Sequence, residues 1–507
     1  MTVVSLGFGF GFRYETGMDT GQLKQDWREG RIDGEGLIDL IGTFAEKLAQ
    51  ANQRIEELEA QLGERSTKLD EPFSVQAEEK RQAARGKSKR KKNKPQRQGR
   101  ISTAEKLAQA QREEEVYPEG LDPADCWFSH SRPVWRLENG QAVLVAYHIY
   151  RGQKNRYGQI PGVLGRSEFG LEIVLSIAYQ VYVMGLSFDK ACALMCFFTQ
   201  LDLKKVQAQA LMNQLAREWE SEFEILCSLL AHSAVVHTDE TRWSIKSVWA
   251  FLSEKARLIL FGVPKDAATL AAILDPETFS GVIVSDDAAV YQNFTKSQKC
   301  WAHLLRKAIK LTLLAPDNAE YREFADRLLA LYRKACRIQQ DRRLSAAGRE
   351  WKVTELENEL IDLCPDSPTW WDETLAIADL EEADNTCRLL VNELMRLLVC
   401  KELFTFVCDD SVPGTNNESE RTLRDSAQAR QTGRTNKSPR GARRQSIVRS
   451  VLESLRLQLP CYCLQAIVEE VQRWLSQGRS CFRERAEQLG LGPPETSVLK
   501  RVLPLPS

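Results

Sequence analysis

Hydrophobic positions recur with two different periods along the chain. From residue 37 to residue 62, apolar side chains alternate at spacings of four and three, and polar residues fill most of the positions between them. This heptad pattern predicts an amphipathic helix that either packs on its own domain or self-associates as a coiled coil. The polar flanks favour the coiled coil. The apolar positions are Leu37, Ile41, Phe44, Leu48, Ala51, Ile55, Leu58 and Leu62.

Strand-like and helical patterns alternate after residue 120. Gln141 to Tyr150 is the clearest strand of a small domain, and residues 167–230 follow with helical periodicity and a weak helix-turn-helix signal. Three strands at hairpin spacing, a helix, then a strand, a helix and a strand are predicted next, which is the order of an RNase H-like sheet. These elements lie at 235–239, 248–253, 257–263, 266–274, 281–284, 288–294 and 298–301.

The remainder of the chain reads as mostly helical. Residues 304 to about 405 carry apolar stripes at helical spacing, and further helices are predicted from Asn416 and over Leu464 to Leu475. The end beyond Gly490 is proline-rich and is predicted to be loose. The predicted fold class is therefore an α/β core of RNase H-like type with a large helical insertion, preceded by the coiled coil and a helical region.

Local charge departs strongly from the average. The net charge is −1, from 69 basic and 70 acidic residues, but Arg81 to Arg100 holds ten Lys or Arg and no acid. Arg421 to Arg449 holds nine basic residues and one acid, Asp425. Charges act over about 10 Å at physiological salt, so local patches decide binding to nucleic acid. The first stretch has no large apolar residue and is predicted to be a flexible linker, either simply solvated or contacting DNA phosphates.

Cysteine usage and hydropathy favour a cytoplasmic protein. The thirteen cysteines are mostly scattered singly, no secretory signal opens the chain, and no run approaches the ~20 apolar residues of a membrane span. Cys461 and Cys463 lack a second ligand pair nearby, so they do not predict a zinc site. The cysteines are therefore expected to be reduced and structural.

Acidic residues at the ends of predicted strands suggest metal chemistry. Asp239 and Asp286 each follow a short β run directly, and neighbouring strands would bring the two carboxylates together. Phosphodiester chemistry with two divalent cations about 3.5–4 Å apart needs such a cluster, with a third acid to complete it. Glu418 and Glu420 are both candidates. An aspartate at a strand end is more often a turn residue or a helix cap, and Glu420 could simply pair with Arg424.

Four motifs in order resemble transposases of the IS66 insertion-sequence family, over roughly residues 125–475. Residues 237–242 resemble the "DET" strand of the family, and Ser285-Asp286 with Tyr291 resembles its second acidic element. Residues 300–303 with Arg306-Lys307 resemble "CWAHxRRKF", and residues 416–424 resemble the "NNxxER" helix. Gly441-Ala442 and residues 450–456 resemble the region beyond that helix.

The resemblance implies a metal-binding triad of Asp239, Asp286 and Glu420, with a helical insertion between the last two. Asp239 is expected to bridge two divalent ions, Mg²⁺ or Mn²⁺, and the other acids to complete one each. Three departures stand out: Thr415 replaces the family's Asp, the family's "RKN" is matched only loosely by Arg430 or residues 434–436, and Cys126 stands alone where the family often has a CxxC segment. Period-two geometry predicts that Glu240 and Asp287 point away from the site.

Several further residues are predicted to support the site or bind DNA. Cys300 and His303 either support the active site or are a packed pair, because two further zinc ligands are not evident in the sequence. Asn416 and Asn417 are expected to support the site. Arginines after Glu420 would lie near DNA phosphates, the alternative being a solvated helix face. The predicted DNA-binding residues are Lys87, Lys89, Arg90, Lys91, Lys92, Lys94, Arg421, Arg424, Arg430 and Arg434.

The sequence therefore predicts a transposase that cleaves element ends and transfers the strands to target DNA. It would act as a homo-oligomer on DNA, with possible accessory proteins from the same element. The alternatives are a catalytically inert, transposase-derived DNA-binding protein, suggested by Thr415, and a structural coiled-coil protein.

The sequence also predicts how the chain divides into domains. The predicted division is an irregular N-terminus (1–30), coiled-coil helix (31–66), basic linker (67–118), strand-containing segment with a candidate DNA-binding helical domain (119–230), first part of the catalytic core (231–303), helical insertion (304–408), end of the core with the third carboxylate (409–456), and C-terminal helix and tail (457–507).

Overall fold

The computed structural model describes residues 101–364 and 382–504, together with Glu29 and Gln53. The predicted coiled coil, apart from Gln53, and the cations of residues 81–100 lie outside the described residues. The chain divides into two compact units, Met1–Arg97 and Gln98–Ser507. The second unit mixes sheets with many helices. Within the described ranges, none of its helices combines the length and the apolarity that a membrane span requires.

The second unit begins with a small three-stranded sheet in the order β1-β3-β2. Its elements are α1 (Thr103–Ala108), β1 (Arg112–Val116), β2 (Trp127–Glu138) and β3 (Gln141–Arg151). β3 confirms the strand predicted from Gln141. One face of the sheet buries alternate residues of β3, Val145, Tyr147 and Ile149, against Val134 and Ile160. Residues 103–116, assigned to the basic linker from sequence, thus include a helix and a strand.

Four helices follow the small sheet and carry much of the main hydrophobic core, as the periodicity of residues 167–230 predicts. They are α2 (Leu171–Ala178), α3 (Phe188–Thr199), α4 (Lys205–Glu218) and α5 (Glu220–Ala231). A π-helical turn, Tyr179–Val183, extends α2. Trp219 and Phe223 at the α4–α5 junction are almost completely buried, and the same cluster continues onto the next sheet.

A five-stranded sheet in the order β6-β5-β4-β7-β8 forms the centre of the unit. β4 is antiparallel to β5 and parallel to β7, and β8 is parallel to β7. The strands are β4 (Val235–Arg242), β5 (Ser247–Leu252), β6 (Arg257–Val263), β7 (Val282–Ser285) and β8 (Ser297–Lys299). All five predicted strands are therefore present, with shifts of a few residues at their ends.

Both faces of this sheet are covered, which explains why β5 is an unbroken apolar run. Trp249 and Phe251 pack in the main core, whereas Val248 and Ala250 belong to a second cluster that includes Leu423. Alternate side chains of a strand point to opposite faces, so a strand buried on both sides needs apolar residues at every position. Between β6 and β7 the predicted helix is the short α6 (Ala267–Ala271), and the helix predicted over 288–294 is a single 3-10 turn, Ala289–Tyr291.

Helices dominate the described residues between β8 and residue 408, as predicted. They are α7 (Trp301–Leu314), α8 (Ala319–Gln340), α9 (Ala346–Leu363), α10 (Glu382–Val399) and α11 (Thr405–Cys408). Their apolar stripes form one cluster that also includes Val235, Val282 and Val284 of the sheet. The helices are therefore joined to the strands that carry the predicted acids.

Two long helices, α12 (Asn417–Gln431) and α13 (Pro439–Gln458), return to the sheet. α13 lies along the edge strand β6, where three of its serines accept hydrogen bonds from backbone N–H groups of the strand. Ser446 Oγ accepts from Phe261 at 2.9 Å, Ser450 Oγ from Ile259 at 2.9 Å, and Ser454 Oγ from Arg257 at 3.0 Å. Four helical residues rise about 6 Å and two strand residues about 6.6 Å, so the two repeats match.

The C-terminal segment is folded onto this core, contrary to the loose end predicted beyond Gly490. Its helices are α14 (Leu464–Gln477), α15 (Cys481–Gln488) and α16 (Val498–Val502). Glu224 of α5 accepts hydrogen bonds from the N–H groups of Val498 and Leu499, at 2.9 and 3.0 Å. Arg443 of α13 donates to the carbonyls of Leu499 and Leu503. The proline-rich composition gave no signal for these partners, which are more than 50 residues away along the chain.

Candidate active site

Two of the predicted acids lie on neighbouring parallel strands, Asp239 within β4 just past its last pair with β7, and Asp286 directly after β7. β4 continues to Arg242, so Asp239 does not end its strand as the sequence predicted. In the pairing of β4 with β7, Val235 is opposite Val282 and His237 is opposite Val284. Asp239 and Asp286 are each two residues beyond the second of these pairs, so the same register places them opposite each other. The Asp239 Oδ1 atom accepts from the Glu240 N–H at 2.8 Å, and the Asp286 Oδ1 atom accepts from the Ala288 N–H at 3.1 Å. The register thus brings both carboxylates together at the end of the sheet where β7 stops.

The third predicted acid, Glu420, comes from the first turn of α12. Asn416, just before that helix, is completely buried and fixes its position. Its Nδ2 donates to the Thr238 carbonyl at 2.7 Å, its Oδ1 lies 3.1 Å from Nδ1 of His237, and its N–H donates to the Cys300 sulfur at 3.1 Å. Asn416 therefore ties the helix that carries Glu420 to the strand that carries Asp239. Asn417, the neighbouring candidate, is exposed.

The acids interact electrostatically at Asp239. Burial, followed by the negative charges of Glu240 and Asp286, raises the pKa of Asp239 from 3.8 to about 7, and Glu420 contributes in the same direction. Within the described ranges neither Asp239 nor Asp286 forms an ion pair. Buried carboxylates without a cationic partner are costly, and such groups are usually neutralised by a proton or a metal ion.

Glu240 and Asp287 follow Asp239 and Asp286 directly in the sequence. They differ from those two acids because each has a protein cation as partner. Glu240 has only 2% of its side chain exposed and contacts both Lys265 Nζ and the Tyr291 hydroxyl. Asp287 pairs with Arg396 of α10. Burial lowers the pKa of Lys265, but the hydrogen bond and charge of Glu240 outweigh burial and raise it. The sequence gave no signal for Lys265 or Arg396, because their contacts depend on where distant segments meet the sheet.

Cys300 and His303 lie beside Glu420. Cys300 precedes α7 and is 1% exposed, and burial raises the pKa of its thiol. Nδ1 of His303 is 3.5 Å from Oε1 of Glu420, and one ligand atom from each of the three residues lies within 4.8 Å of the others. Arg306 Nη2 also donates to both Glu420 oxygens, at 2.7 and 2.9 Å. Arg306 is part of a quoted motif, but its contact with Glu420 was not predicted.

The four arginines predicted to contact DNA are all exposed on α12 or just after it. They are Arg421, Arg424, Arg430 and Arg434. Arg430 also donates to the Arg242 carbonyl at 3.0 Å, which joins the end of α12 to the end of β4. The six predicted cations of residues 87–94 lie outside the described residues.

The donor set suits hard divalent cations. Asp239, Asp286 and Glu420 offer carboxylate oxygens, which Mg²⁺ and Mn²⁺ prefer, and the mutual repulsion of these groups would fall on binding a cation. Burial is the largest cause of the raised pKa of Asp239, and repulsion by Glu240, Asp286 and Glu420 adds to it. The residues present therefore fit a cation site, at which Asp239 interacts with both of the other acids.

Comparison with known families gives a match over this region. The family model described as the IS66 family of transposases matches residues 166–444, which is more than half of the chain. The matched range begins just before α2 and ends within α13, so it includes all three acids. No curated protein matches the chain.

Proposed function

Because the chain belongs to the IS66 family of transposases, we propose that it is a DDE-type enzyme that cuts DNA at insertion-sequence ends and joins them to target DNA. Asp239, Asp286 and Glu420 are its catalytic acids in this proposal. The observation that carries it is the contrast among neighbouring acids. Glu240 and Asp287 each contact a cation, whereas Asp239 and Asp286 lie side by side on adjacent parallel strands and form no ion pair within the described ranges.

The strand order supports an RNase H-like core. Three antiparallel strands, β6, β5 and β4, continue into two parallel ones, β7 and β8, which is the arrangement the sequence predicts for that fold. In this assignment the helices from α7 to α11 are an insertion between the second and third acids. The predicted domain division remains our proposal for the whole chain.

The three acids would hold two divalent cations, Mg²⁺ or Mn²⁺. Such ions lower the pKa of water and stabilise charge on the phosphate and the leaving oxygen. For its part, the protein must present Asp239 ionised, and because its pKa is raised to about 7, Asp239 without a bound cation is mostly ionised only above about pH 7. The Glu240 carboxylate contacts Lys265 and Tyr291, so it does not replace Asp239 as a cation ligand. Arg306 must release Glu420 before that carboxylate can bind a cation fully.

DNA would approach along the exposed arginines of α12. Arg421 and Arg424 follow Glu420 by one and four residues, so phosphate contacts there would position a strand beside the acids. The basic residues at 81–100 would add contacts that depend on salt and not on base sequence. The heptad pattern at 31–66 supports a homo-oligomer that holds two element ends, and accessory proteins of the same element remain possible partners.

Metal-dependent cleavage of DNA carrying an element end tests the proposal, with the unaltered protein compared with Asp286→Asn. We expect cleavage in Mg²⁺ or Mn²⁺ that the substitution abolishes while DNA binding persists. Asp317→Asn is the matched control, because this aspartate is exposed after α7 and is not one of the clustered acids. Cleavage retained by Asp286→Asn would overturn the triad. Binding without cleavage by both proteins, even with the accessory proteins added, would favour an inert DNA-binding protein.

A further inference from the structure

Cys300, His303 and Glu420 converge at the start of α7, with one potential ligand atom from each lying within 4.8 Å of the others. Cys300 and His303 are one helical turn apart, and Glu420 arrives from α12. The distance from His303 Nδ1 to Glu420 Oε1 is 3.5 Å. Two ligands at about 2.1 Å from a tetrahedral zinc ion are about 3.4 Å apart, so this pair already has the spacing of zinc ligands.

The surroundings of the cluster also resemble those of a metal site. His303 Nδ1 is buried, yet it makes no hydrogen bond within the described residues. The Asn416 N–H donates to the Cys300 sulfur at 3.1 Å, and hydrogen bonds of this kind orient a metal-bound thiolate. The sequence supplied only the Cys–His pair. The fold adds the third ligand, 117 residues beyond His303 along the chain.

We propose that Cys300, His303 and Glu420 form a second cation site, selective for zinc-class ions and sharing Glu420 with the catalytic triad. Thiolate and imidazole ligands favour Zn²⁺ over Mg²⁺, which requires oxygen ligands. Three protein ligands leave the fourth tetrahedral position open. Arg306 opposes binding because it contacts both oxygens of Glu420, but 53% of its side chain is exposed and it can turn towards solvent.

Sharing of Glu420 has a functional consequence. A zinc ion bound between Cys300 and His303 holds the Glu420 carboxylate on their side and withdraws it from Asp239 and Asp286. Zinc would therefore inhibit the Mg²⁺-dependent reaction. This competition rests on the proposed function, whereas the binding of zinc does not.

Cobalt(II) is the probe for binding, because a Co²⁺–thiolate bond gives a charge-transfer absorption that Mg²⁺ cannot produce. The full-length protein is titrated with Co²⁺ in excess Mg²⁺, in a Cys461→Ser/Cys463→Ser background that removes an exposed cysteine pair. We expect one equivalent of Co²⁺ with the thiolate band, displaced by Zn²⁺. Cys300→Ser should abolish the band, and His303→Gln should weaken binding at least about tenfold.

Asp286→Asn is the matched variant, because it alters the catalytic acids but not this cluster and should keep the Co²⁺ band. A band that survives Cys300→Ser, or no stoichiometric Co²⁺ binding by the folded protein, would overturn the site. Thermal unfolding checks that each variant is folded, and partly exposed His303 provides a test that does not disturb the core.

Zinc inhibition is measured separately on DNA cleavage. Each protein is compared with its own cleavage rate in Mg²⁺ alone, so a lower basal rate of His303→Gln does not enter the comparison. If Zn²⁺ then inhibits the unaltered protein but not His303→Gln, the competition for Glu420 is supported. Equal inhibition of both proteins would refute the competition while leaving the binding result intact. A protein that does not cleave at all would count against the proposed function, and the Co²⁺ titration would still decide the zinc site.

Discussion

Asp239 combines a buried position with three acidic neighbours. Because this combination raises its pKa, the free energy of unfolding of the protein depends on pH. Its pKa is about 7 in the folded protein and about 3.8 in the unfolded chain. Above about pH 4 the unfolded state loses this proton first, so the folded state is progressively destabilised as the pH rises towards 7. A difference of about three between the two pKa values corresponds to about 4 kcal/mol as an upper limit.

We therefore expect Asp239→Asn to raise the free energy of unfolding at pH 8 in the absence of divalent cations, with little effect at pH 4. Urea unfolding at both pH values, with EDTA present, measures the difference. Asp317→Asn serves as control, because this aspartate is exposed after α7 and should show no such trend. Adding Mg²⁺ should remove the advantage of the variant. An advantage that does not change with pH would refute the argument.

Asn416 and Asn417 provide a matched pair for testing how the third acid is positioned. Asn416→Ala removes buried hydrogen bonds to the Thr238 carbonyl and to His237, and should destabilise the fold by about 2–4 kcal/mol. Asn417→Ala, at an exposed site, should change stability by less than about 0.5 kcal/mol. Chemical unfolding of both variants checks this. Equal effects would mean that Asn416 does not anchor α12.

The sequence could predict which residue types gather at the site but not the contacts that distinguish them. Asn416 and Asn417 are adjacent and identical, and only the return of α12 onto β4 makes one buried and the other exposed. Local patterning marked Asp239 as an acid at the end of a strand, but β4 continues to Arg242 because it pairs with β5 as far as that residue. It carried no information that Lys265 would neutralise Glu240, since that contact depends on the packing of β6 and its following loop.

At the scale of elements, the edge of the five-stranded sheet depends on the serines of α13. An edge strand exposes unpaired N–H groups, and β6 satisfies those of Arg257, Ile259 and Phe261 with serine side chains. Ser450→Ala should leave the buried Ile259 N–H without a partner and cost about 1–3 kcal/mol. Unfolding measurements and hydrogen exchange at Ile259 test this. Ser476→Ala on α14 is the control, because Ser476 is exposed.

Strands were more predictable than short helices because burial on two faces leaves a strong signal. The unbroken apolar runs of β5 and β6 are visible in the sequence, and β6 has the predicted bounds, Arg257–Val263. Residues 288–294 have helical periodicity but form a single 3-10 turn, since Ala288 hydrogen-bonds the Asp286 side chain and Tyr291 turns inward to Glu240. The three serines of α13 that bind β6 are visible in the sequence as Ser446, Ser450 and Ser454, spaced by four residues. The strand that they bind could not be inferred from the sequence.

At the scale of the whole molecule, distant segments complete the core, and no local pattern announces them. Arg443 and Glu224 hold α16 from two different helices, which is why composition alone suggested a loose C-terminus. Similarly, more than 100 residues separate Asp286 from Glu420, and the described helices between them share a hydrophobic cluster with β4 and β7. The insertion was predictable as helical, but its attachment to the catalytic strands was not.

Affinity for DNA is also set by the whole chain, because a net charge of −1 conceals two separate groups of cations. If the basic residues near the N-terminus contact phosphates, they release counterions and make binding steeply dependent on salt. Replacing Lys87, Lys89, Arg90, Lys91, Lys92 and Lys94 with Gln should then reduce the slope of log K against log salt by up to about 5. The loss should be the same for element-end DNA and unrelated DNA, because phosphate contacts carry no base information.

The matched control replaces six exposed cations in the segment between the second and third acids: Lys310, Arg322, Arg327, Arg333, Arg337 and Arg342. Its slope should equal that of the unaltered protein. Arg421→Gln/Arg424→Gln should behave differently from both, lowering the slope by about 2 at most and cleavage by a larger factor, because these arginines lie within about one helical turn of Glu420. Fluorescence anisotropy over a salt series measures the slopes. An unchanged slope in the N-terminal variant would mean that the basic segment is a solvated linker and that DNA is held by the unit after residue 97 alone.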